Sequence, residues 1–165
     1  MGSWTETGSS SLASITRDTS TLSDAREEMQ SLVETIWRLR QPDGCPWDRK
    51  QTHESIGKNM IEEAYEALDC IEAGDEVHLR EELGDVLMQV VLHAQIAADA
   101  GAFTMADVAR DINDKLIRRH PHVFGERSAT SADEVLAIWD SVKLAEKGAK
   151  DADAAEAGER PEGLL

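Results

Sequence analysis

Aromatic residues and cysteines are scarce in this chain of 165 residues. It has four tryptophans, two phenylalanines and one tyrosine, so aliphatic side chains must do most of the packing in its core. Its two cysteines, Cys45 and Cys70, form neither a CxxC motif nor a disulfide framework, which favours the reducing cytoplasm. The chain also lacks a basic N-terminal region followed by an apolar run, and no apolar run approaches ~18 residues. We therefore expect a soluble, unsecreted, cytoplasmic protein that crosses no membrane.

Basic residues are also few. The chain has 17 lysines and arginines against 33 aspartates and glutamates, which gives a formal net charge of −16. This balance excludes a general nucleic-acid binder, because binding to a phosphate backbone requires a basic surface. A ligand that carries phosphate groups would have to be bound by a metal ion or by a local basic cluster.

Helical periodicity dominates the sequence, and no segment shows convincing strand alternation. We therefore predict an all-α bundle of about five helices in one domain, residues 21–147. Residues 1–20, rich in Ser, Thr and Gly, predict a flexible leader, and residues 148–165 predict an acidic disordered tail. The five helices are expected at about 21–40, 55–73, 76–100, 104–120 and 131–147.

Capping residues mark two of these helix starts. Thr104 and Asp107 resemble a capping arrangement, and Ser131 with Glu134 forms the S-x-x-E pattern of a capping box. The first pair predicts that a helix begins at Thr104, and the second predicts the start of the last helix.

The second and third predicted helices carry paired carboxylates and are joined by a turn at Gly74. Acidic side chains three residues apart lie one above the other on a helix, so pairs on two antiparallel helices can converge on one point. Oxygen ligands in that number suit Mg²⁺ or Mn²⁺. The acidic residues are Glu62, Glu63, Glu66 and Asp69 on one helix, and Glu82 and Asp85 on the other. The apolar stripe predicted on the opposite face of the first helix comprises Met60, Ile61, Ala64, Tyr65, Leu68 and Ile71.

The helix over residues 76–100 has apolar residues on two faces. Besides its main stripe, it places Met88, Leu92 and Ile96 on nearly the opposite side. A helix that is apolar on two faces is covered on two faces, which is difficult for a small bundle. We therefore predict that this helix forms a subunit interface in a homodimer or a larger homo-oligomer.

The order of the acidic residues resembles the EExxE…ExxD signature of the MazG-type nucleoside triphosphate pyrophosphohydrolases, which belong to the all-α NTP pyrophosphatase superfamily. Further blocks match that family over about residues 32–147. They are GCPWDRKQTH at 44–53, DKLIRRHPHVF at 114–124, and Trp139 with Lys143 four residues later. Family members with two tandem copies of the domain differ from this chain, which has one copy.

The resemblance implies that Glu63, Glu66, Glu82 and Asp85 hold Mg²⁺, with Mn²⁺ as a possible substitute. The physics agrees, because four clustered anions repel one another unless a divalent cation neutralises them. Glu62 has two open roles, either to accept a proton from the attacking water or to orient a metal ligand. A lone ExxE motif is most often a solvated helix face, but ExxD on the next helix and the other matching blocks weigh against that interpretation.

Candidate substrate-binding residues lie outside the carboxylate helices. Lys115 and Arg119 border an apolar stripe, where a cation needs a partner such as a triphosphate, whereas Arg118 points further out and its role stays open. The resemblance places Trp139 near the base or sugar, although Trp139 also lies on an apolar stripe and could be core. His120 and His122 are interpreted as structural or adjacent to phosphate. The candidates are Trp47, Lys50, His53, Lys115, Arg118, Arg119, Trp139 and Lys143, and Trp47 or Asp48 could instead cover the site or cap the next helix.

The predicted function is Mg²⁺-dependent hydrolysis of (d)NTPs to (d)NMP and pyrophosphate, for nucleotide-pool sanitation or nucleotide balance. A narrower alternative is a dUTP or phosphoribosyl-ATP pyrophosphohydrolase. An alternative from another class is a catalytically silent helical module that binds nucleotide and metal. The complete set of acidic ligands weighs against the silent module.

Overall fold

The computed structural model describes the backbone of residues 19–158 and the side chains of residues 21–149. Within that part the chain forms seven α-helices and no β-strand, which confirms the predicted all-α class. None of the described helices is long and apolar enough to cross a membrane. Residues 1–18 of the predicted leader lie outside the described range. The helices are α1 (Thr19–Leu39), α2 (Pro46–Lys50), α3 (His53–Ala73), α4 (Glu76–Asp99), α5 (Met105–Arg119), α6 (Pro121–Phe124) and α7 (Ala132–Gly158).

Two short helices occupy segments that were expected to be loops. Both α2 and α6 begin with a proline, Pro46 and Pro121. The fixed φ of proline suits the first helical turn, and its missing N–H would have had no helical partner there. Pro121 directly follows His120, the C-cap residue of α5, so it both stops that helix and starts α6.

The last helix is longer than expected. The predicted end near Lys147 is wrong, because α7 continues to Gly158 and makes residues 148–158 of the predicted disordered tail helical. This stretch is rich in Ala, which has the highest helix propensity, and Gly148, its one glycine before the terminal Gly158, costs only ~1 kcal/mol relative to Ala. Residues 159–165 of the predicted tail lie beyond the described part of the chain.

The predicted capping arrangement at the start of α5 is confirmed. The capping box predicted at the start of α7 forms only in part. Thr104 Oγ1 accepts a hydrogen bond from the Asp107 N–H at 3.3 Å, and the Thr104 N–H donates to Asp107 Oδ2 at 2.9 Å. At α7, Ser131 Oγ accepts from the Glu134 N–H at 3.3 Å as predicted. The Glu134 carboxylate accepts instead from the Thr130 N–H at 2.7 Å, so only half of the predicted capping box forms.

Residues 19–102 form one compact unit, in which α3 and α4 make a helical hairpin and α1 packs on α4. The hairpin turn uses Gly74 in the left-handed region, with φ of 69°, where glycine meets no Cβ penalty. The core follows α4 along its C-terminal half. Its buried apolar residues are Ile36, Ile56, Ala67, Val91, Leu92, Ala94, Ile96 and Ala97.

The structure differs from the prediction in which apolar faces of the hairpin are buried and which are exposed. Leu92 and Ile96 are only 4% and 9% exposed, because α1 and α3 cover both faces of α4 within one chain. The prediction that the second face of α4 forms a subunit interface is therefore wrong. On α3 the predicted stripe faces solvent instead, and Ile61 and Tyr65 are 59% and 64% exposed.

Residues 103–158 form a second compact unit, in which α5 packs against α6 and α7. None of the described side chains from 103 to 149 is fully buried. This unit is held together by half-buried side chains and, as described below, by ion pairs.

Candidate functional site

The α3–α4 hairpin brings three acidic residues together. Oxygen atoms of Glu63, Glu66 and Glu82 all lie within 4.8 Å of one another, with Glu63 and Glu82 half-buried and Glu66 exposed. Glu63 faces inward because it follows buried Ile56 by two helical turns and precedes buried Ala67 by one. Three of the four predicted metal ligands therefore converge at one point of the hairpin.

Asp85 and Glu62 lie at the margin of this carboxylate cluster. Asp85 is not one of the three residues within 4.8 Å of one another, but its charge raises the pKa of both Glu63 and Glu82. Glu62 is exposed, and its charge contributes least to the raised pKa of Glu63. The structure thus places Asp85 within electrostatic reach of the cluster and leaves Glu62 on the solvent side.

The electrostatics of the cluster favour a cation. Desolvation raises the pKa of Glu63, followed by the charges of Asp85 and Glu66, and it raises the pKa of Glu82, followed by the charges of Glu66 and Asp85. Oε2 of Glu82 is buried and has no hydrogen-bond partner among the described residues. A buried acceptor without a donor is unfavourable, and a divalent cation would supply the missing partner. The donor set, all carboxylate oxygens, fits Mg²⁺ or Mn²⁺.

Three of the candidate substrate-binding residues lie on α2 and at the first position of α3: Trp47, Lys50 and His53. Trp47 and Lys50 are exposed on α2, and neither Trp47 nor Asp48 caps α3. That cap is Thr52, whose Oγ1 accepts from the Ser55 N–H at 3.2 Å. The alternative in which Trp47 or Asp48 caps the next helix is therefore excluded.

Arg40, a half-buried residue whose side chain is only 8% exposed and which was not singled out from the sequence, holds the segment before α3 in place. Arg40 donates to Asp99 Oδ2 at 2.6 Å, to the Gln51 carbonyl at 3.3 Å and to the Asp48 carbonyl. Gly44 permits the turn that precedes α2, because a Cβ there would lie 2.3 Å from the Leu39 carbonyl oxygen. The signal in the sequence that could have identified Arg40 is its position directly after the apolar stripe of the first predicted helix.

His53 has a partner that was also not predicted. Its Nδ1 lies 2.8 Å from Nδ1 of His93 on α4, and the two rings are parallel within 4°. His93 follows Asp85 and Gln89 at four-residue intervals, so the three polar residues share one side of α4. Gln89 is buried, and its Oε1 lacks a hydrogen-bond partner within the described chain. Three polar residues at four-residue intervals in an otherwise apolar helix are the sequence pattern that could have identified His93 as a candidate.

The basic residues of the second unit differ in their partners. Arg118 Nε and Arg119 Nη2 each lie 2.7 Å from a different oxygen of Glu146 on α7. Hydrogen bonds from Arg119 and Arg118 lower the pKa of Glu146 to about 2. Lys115 forms no ion pair with any described carboxylate, and it lines a cavity of about 370 Å³ whose walls also include Phe103, Asp107, Asp111 and Ile112. Glu146, a single acid on the inner side of α7, was not singled out from the sequence.

Trp139 lies in a half-buried aromatic and cationic group of the second unit. Its ring is met edge-on by His120 at 5.0 Å, and Lys143 Nζ is 5.5 Å from the ring centre. Lys143 also lies 3.9 Å from Asp140. Trp139 Nε1 and His122 Nδ1 are buried atoms without hydrogen-bond partners among the described residues. Trp139 therefore makes packing contacts within the second unit and also has an indole N–H without a hydrogen-bond acceptor.

These features define an all-α protein with a carboxylate cluster on a helical hairpin. Residues 51–124 match the family model described as the MazG nucleotide pyrophosphohydrolase domain. Residues 51–124, the part of the chain that this family model covers, therefore carry the MazG domain.

Named relatives and one solved structure agree with this assignment. The chain is 52% identical over 124 residues to the nucleoside triphosphate pyrophosphohydrolase/pyrophosphatase MazG of Thermotoga maritima, covering 75% of this chain and 46% of that protein. It is 47% identical over 124 residues to the nucleoside triphosphate pyrophosphohydrolase of Escherichia coli K12, covering 74% and 47%. The crystal structure of a mazG-related protein from Thermotoga maritima matches with a TM-score of 0.59 and 27% identity, over 70% of this chain and 98% of that one. The chain spans less than half the length of the curated relatives it matches.

Proposed function

We propose that this chain is a Mg²⁺-dependent nucleoside triphosphate pyrophosphohydrolase, with Mn²⁺ as a possible substitute. The observation that carries the proposal is the cluster of Glu63, Glu66 and Glu82, in which a buried oxygen of Glu82 has no donor. The MazG domain match and the names of the relatives support the class of reaction. The proposed products are a (d)NMP and pyrophosphate.

Four carboxylates would hold the cation: Glu63, Glu66, Glu82 and Asp85. When bound, Mg²⁺ would neutralise phosphate oxygens and lower the pKa of a coordinated water. Glu62, exposed beside Glu63, has two available roles: it could accept a proton from the attacking water or orient a ligand. In the reaction a water oxygen bonds to the α-phosphorus, the bond from that phosphorus to the bridging oxygen breaks, and pyrophosphate leaves.

Residues of the second unit would bind the nucleotide. Lys115, which has no carboxylate ion pair within the described chain, and Arg119 would neutralise the β- and γ-phosphates and so stabilise the leaving pyrophosphate. The proposed role of Trp139 is contact with the base or sugar, and that of Lys143 is contact with a phosphate. The other residues proposed to bind the substrate are Trp47, Lys50, His53 and Arg118.

Isotope labelling tests which phosphorus is attacked. Hydrolysis in ¹⁸O-labelled water should place the label in the monophosphate and leave pyrophosphate unlabelled. Lys115→Ala and Arg119→Ala should slow turnover more than they weaken metal binding, whereas Lys147→Ala, an exposed lysine on α7, should leave both unchanged. Label in pyrophosphate, or diphosphate and inorganic phosphate as primary products, would overturn the mechanism.

The proposed cellular role is nucleotide-pool sanitation or nucleotide balance in the cytoplasm. A panel of canonical and damaged (d)NTPs, with dUTP and phosphoribosyl-ATP included, would separate this role from a narrower substrate. A single-turnover assay that detects no hydrolysis of any panel member would favour the silent binding module.

We also propose that the chain forms a homodimer or larger homo-oligomer through α3. Contiguous exposed apolar side chains of this kind mark interaction surfaces in proteins. The exposed residues of the stripe, Ile61, Ala64, Tyr65 and Leu68, line a groove of about 390 Å³ together with half-buried Met60.

A further inference from the structure

His120 ends α5, where hydrogen bonds hold both its backbone and its ring. Its backbone N–H donates to the Ile117 carbonyl at 3.2 Å, and its carbonyl accepts from the N–H groups of Val123 at 2.9 Å and Phe124 at 3.0 Å. The last carbonyls of a helix lack partners within that helix. His120 satisfies one of them with its side chain, because Nδ1 lies 2.6 Å from the Leu116 carbonyl oxygen. The ring is therefore tied to the end of the helix that carries it.

The contact with Leu116 also decides where one ring hydrogen of His120 lies. A carbonyl oxygen can only accept, so Nδ1 must carry a hydrogen, in the neutral ring as in the charged ring. The same atom thus donates the same hydrogen bond in both states. The orientation of the His120 ring does not depend on its charge.

The ring of His120 meets Trp139 of α7. The two ring centres are 5.0 Å apart and the ring planes stand at 86°, an edge-to-face arrangement that aromatic pairs prefer. Lys143, about one turn later on α7, places Nζ 5.5 Å from the centre of the indole ring, within the range of a cation–π contact. The indole is therefore contacted by His120 from another helix and by Lys143 from its own.

The residue before His120 makes a second contact between α5 and α7. Arg119 Nη2 lies 2.7 Å from Oε2 of Glu146. Glu146 follows Trp139 by seven residues, about two helical turns, so both side chains project from the same side of α7. Two consecutive residues of α5 thus contact one side of α7, and this fixes the position of the His120 ring relative to Trp139.

We propose that His120 is a positioning residue for Trp139: its ring, held by the hydrogen bond to Leu116, keeps the indole in one orientation against the end of α5. This restraint follows from contacts within the second unit. Its consequence for the substrate rests on the proposed function, in which Trp139 contacts the base or sugar and Arg119 contacts a phosphate. An indole that is already held in place loses less freedom when a ligand binds, so His120 strengthens nucleotide binding.

The first test measures the motion of the indole in the full chain, without substrate or metal. Nitrogen-15 relaxation of the Trp139 Nε1–H, identified by its absence in Trp139→Phe, should give an order parameter near ~0.85, as in rigid backbone. His120→Asn keeps a side-chain N–H near the position of Nδ1 but removes the ring, so the order parameter should fall below ~0.6. His120→Phe restores a flat ring and should restore much of the order.

A control variant separates the ring contact from a general effect of losing a histidine. His78→Asn makes the same change at an exposed histidine of α4 and should leave the Trp139 indole rigid. Circular dichroism should show wild-type helix content in His120→Asn, because the donor to the Leu116 carbonyl is kept. A rigid indole in folded His120→Asn, or a mobile indole in the wild type, would overturn the positioning role.

Kinetics tests whether His120 acts on the nucleotide through Trp139. With a dNTP and Mg²⁺, His120→Asn should raise KM about twofold to tenfold, the effect of one lost aromatic contact, with a smaller change in kcat. In a Trp139→Ala background the same substitution should leave KM unchanged, because the residue through which it acts is gone. Full additivity of the two substitutions would overturn the positioning role.

Two further outcomes separate this inference from the proposed function. An unchanged KM in a His120→Asn variant with a mobile indole would refute the link to the nucleotide. A wild-type protein without hydrolytic activity, but with a rigid indole that His120→Asn releases, would refute the proposed function and support the positioning of Trp139.

Discussion

Arg119 donates two hydrogen bonds to Oε2 of Glu146, from Nη2 at 2.7 Å and from Nε at 3.3 Å. The partner that the sequence suggested for Arg119 was a triphosphate, but α7 supplies a carboxylate at that position. Arg118 binds the other oxygen of the same carboxylate at 2.7 Å. Glu146 therefore stabilises the unit formed by α5, α6 and α7, and it sets how much positive charge this helix end presents to an anion.

Glu146 should make the stability of the protein dependent on pH in the acidic range. Because its pKa is about 2 in the folded chain and about 4.5 in the ordinary state, the folded form gains stability above pH 4.5 that is lost as pH falls toward 2. Glu146→Gln should lower the urea midpoint at pH 7 and match wild type near pH 2. Glu126→Gln, an exposed acid of the same unit, should behave as wild type throughout. Parallel pH profiles for wild type and Glu146→Gln would contradict this role.

Metal binding should stabilise the fold through the carboxylate cluster. Saturation with Mg²⁺ or Mn²⁺ to ~100 times Kd adds ~2.7 kcal/mol to the free energy of unfolding. Glu66→Gln or Asp85→Asn should remove much of the rise in melting temperature and leave helix content intact. Glu72→Gln, an exposed acid further along α3, is the control that should retain the full rise. A full metal response in both cluster variants would place the cation elsewhere.

Glu82 should have opposite effects with and without metal. In the presence of a chelator, Glu82→Gln should raise the melting temperature at pH 7, because it removes a desolvated charge that faces Glu66 and Asp85. With Mg²⁺ in excess the wild type should become the more stable protein. Thermal unfolding of the variant and the wild type, once in EDTA and once in Mg²⁺, measures both differences in melting temperature. A variant that is less stable than wild type in EDTA would show that repulsion does not dominate at Glu82.

Assembly should depend on α3 rather than on the buried residues of α4. Tyr65→Asp or Ile61→Asp should dissociate the oligomer and preserve helix content, since both side chains are exposed in the single chain. Leu92→Asp should unfold the protein, because Leu92 is buried between helices. Leu144→Asp, an exposed apolar residue of α7, is the control for a surface charge. Light scattering that shows a wild-type monomer would refute the oligomer altogether.

The sequence alone was sufficient for the features that depend on local interactions. The boundaries of α3 and α4, the cap formed by Thr104 and Asp107, and the convergence of Glu63, Glu66 and Glu82 all follow from spacing along one helix or across one short turn. Helix propensity and periodicity are properties of neighbouring residues, so they can be predicted before any long-range contact is known. The all-α class followed from the same signals.

Tertiary structure decided which helix faces are covered and which side chains meet across the chain. Periodicity assigns an angle to each residue around a helix axis but does not say which neighbour covers that angle. Tyr65 therefore faces solvent on a stripe that was expected to pack, while α1 and α3 bury both faces of α4 at Leu92. The partnership of His53 with His93, and that of Arg119 with Glu146, joins residues 40 and 27 positions apart. Such pairs depend on how helices are placed against one another, which no local pattern records.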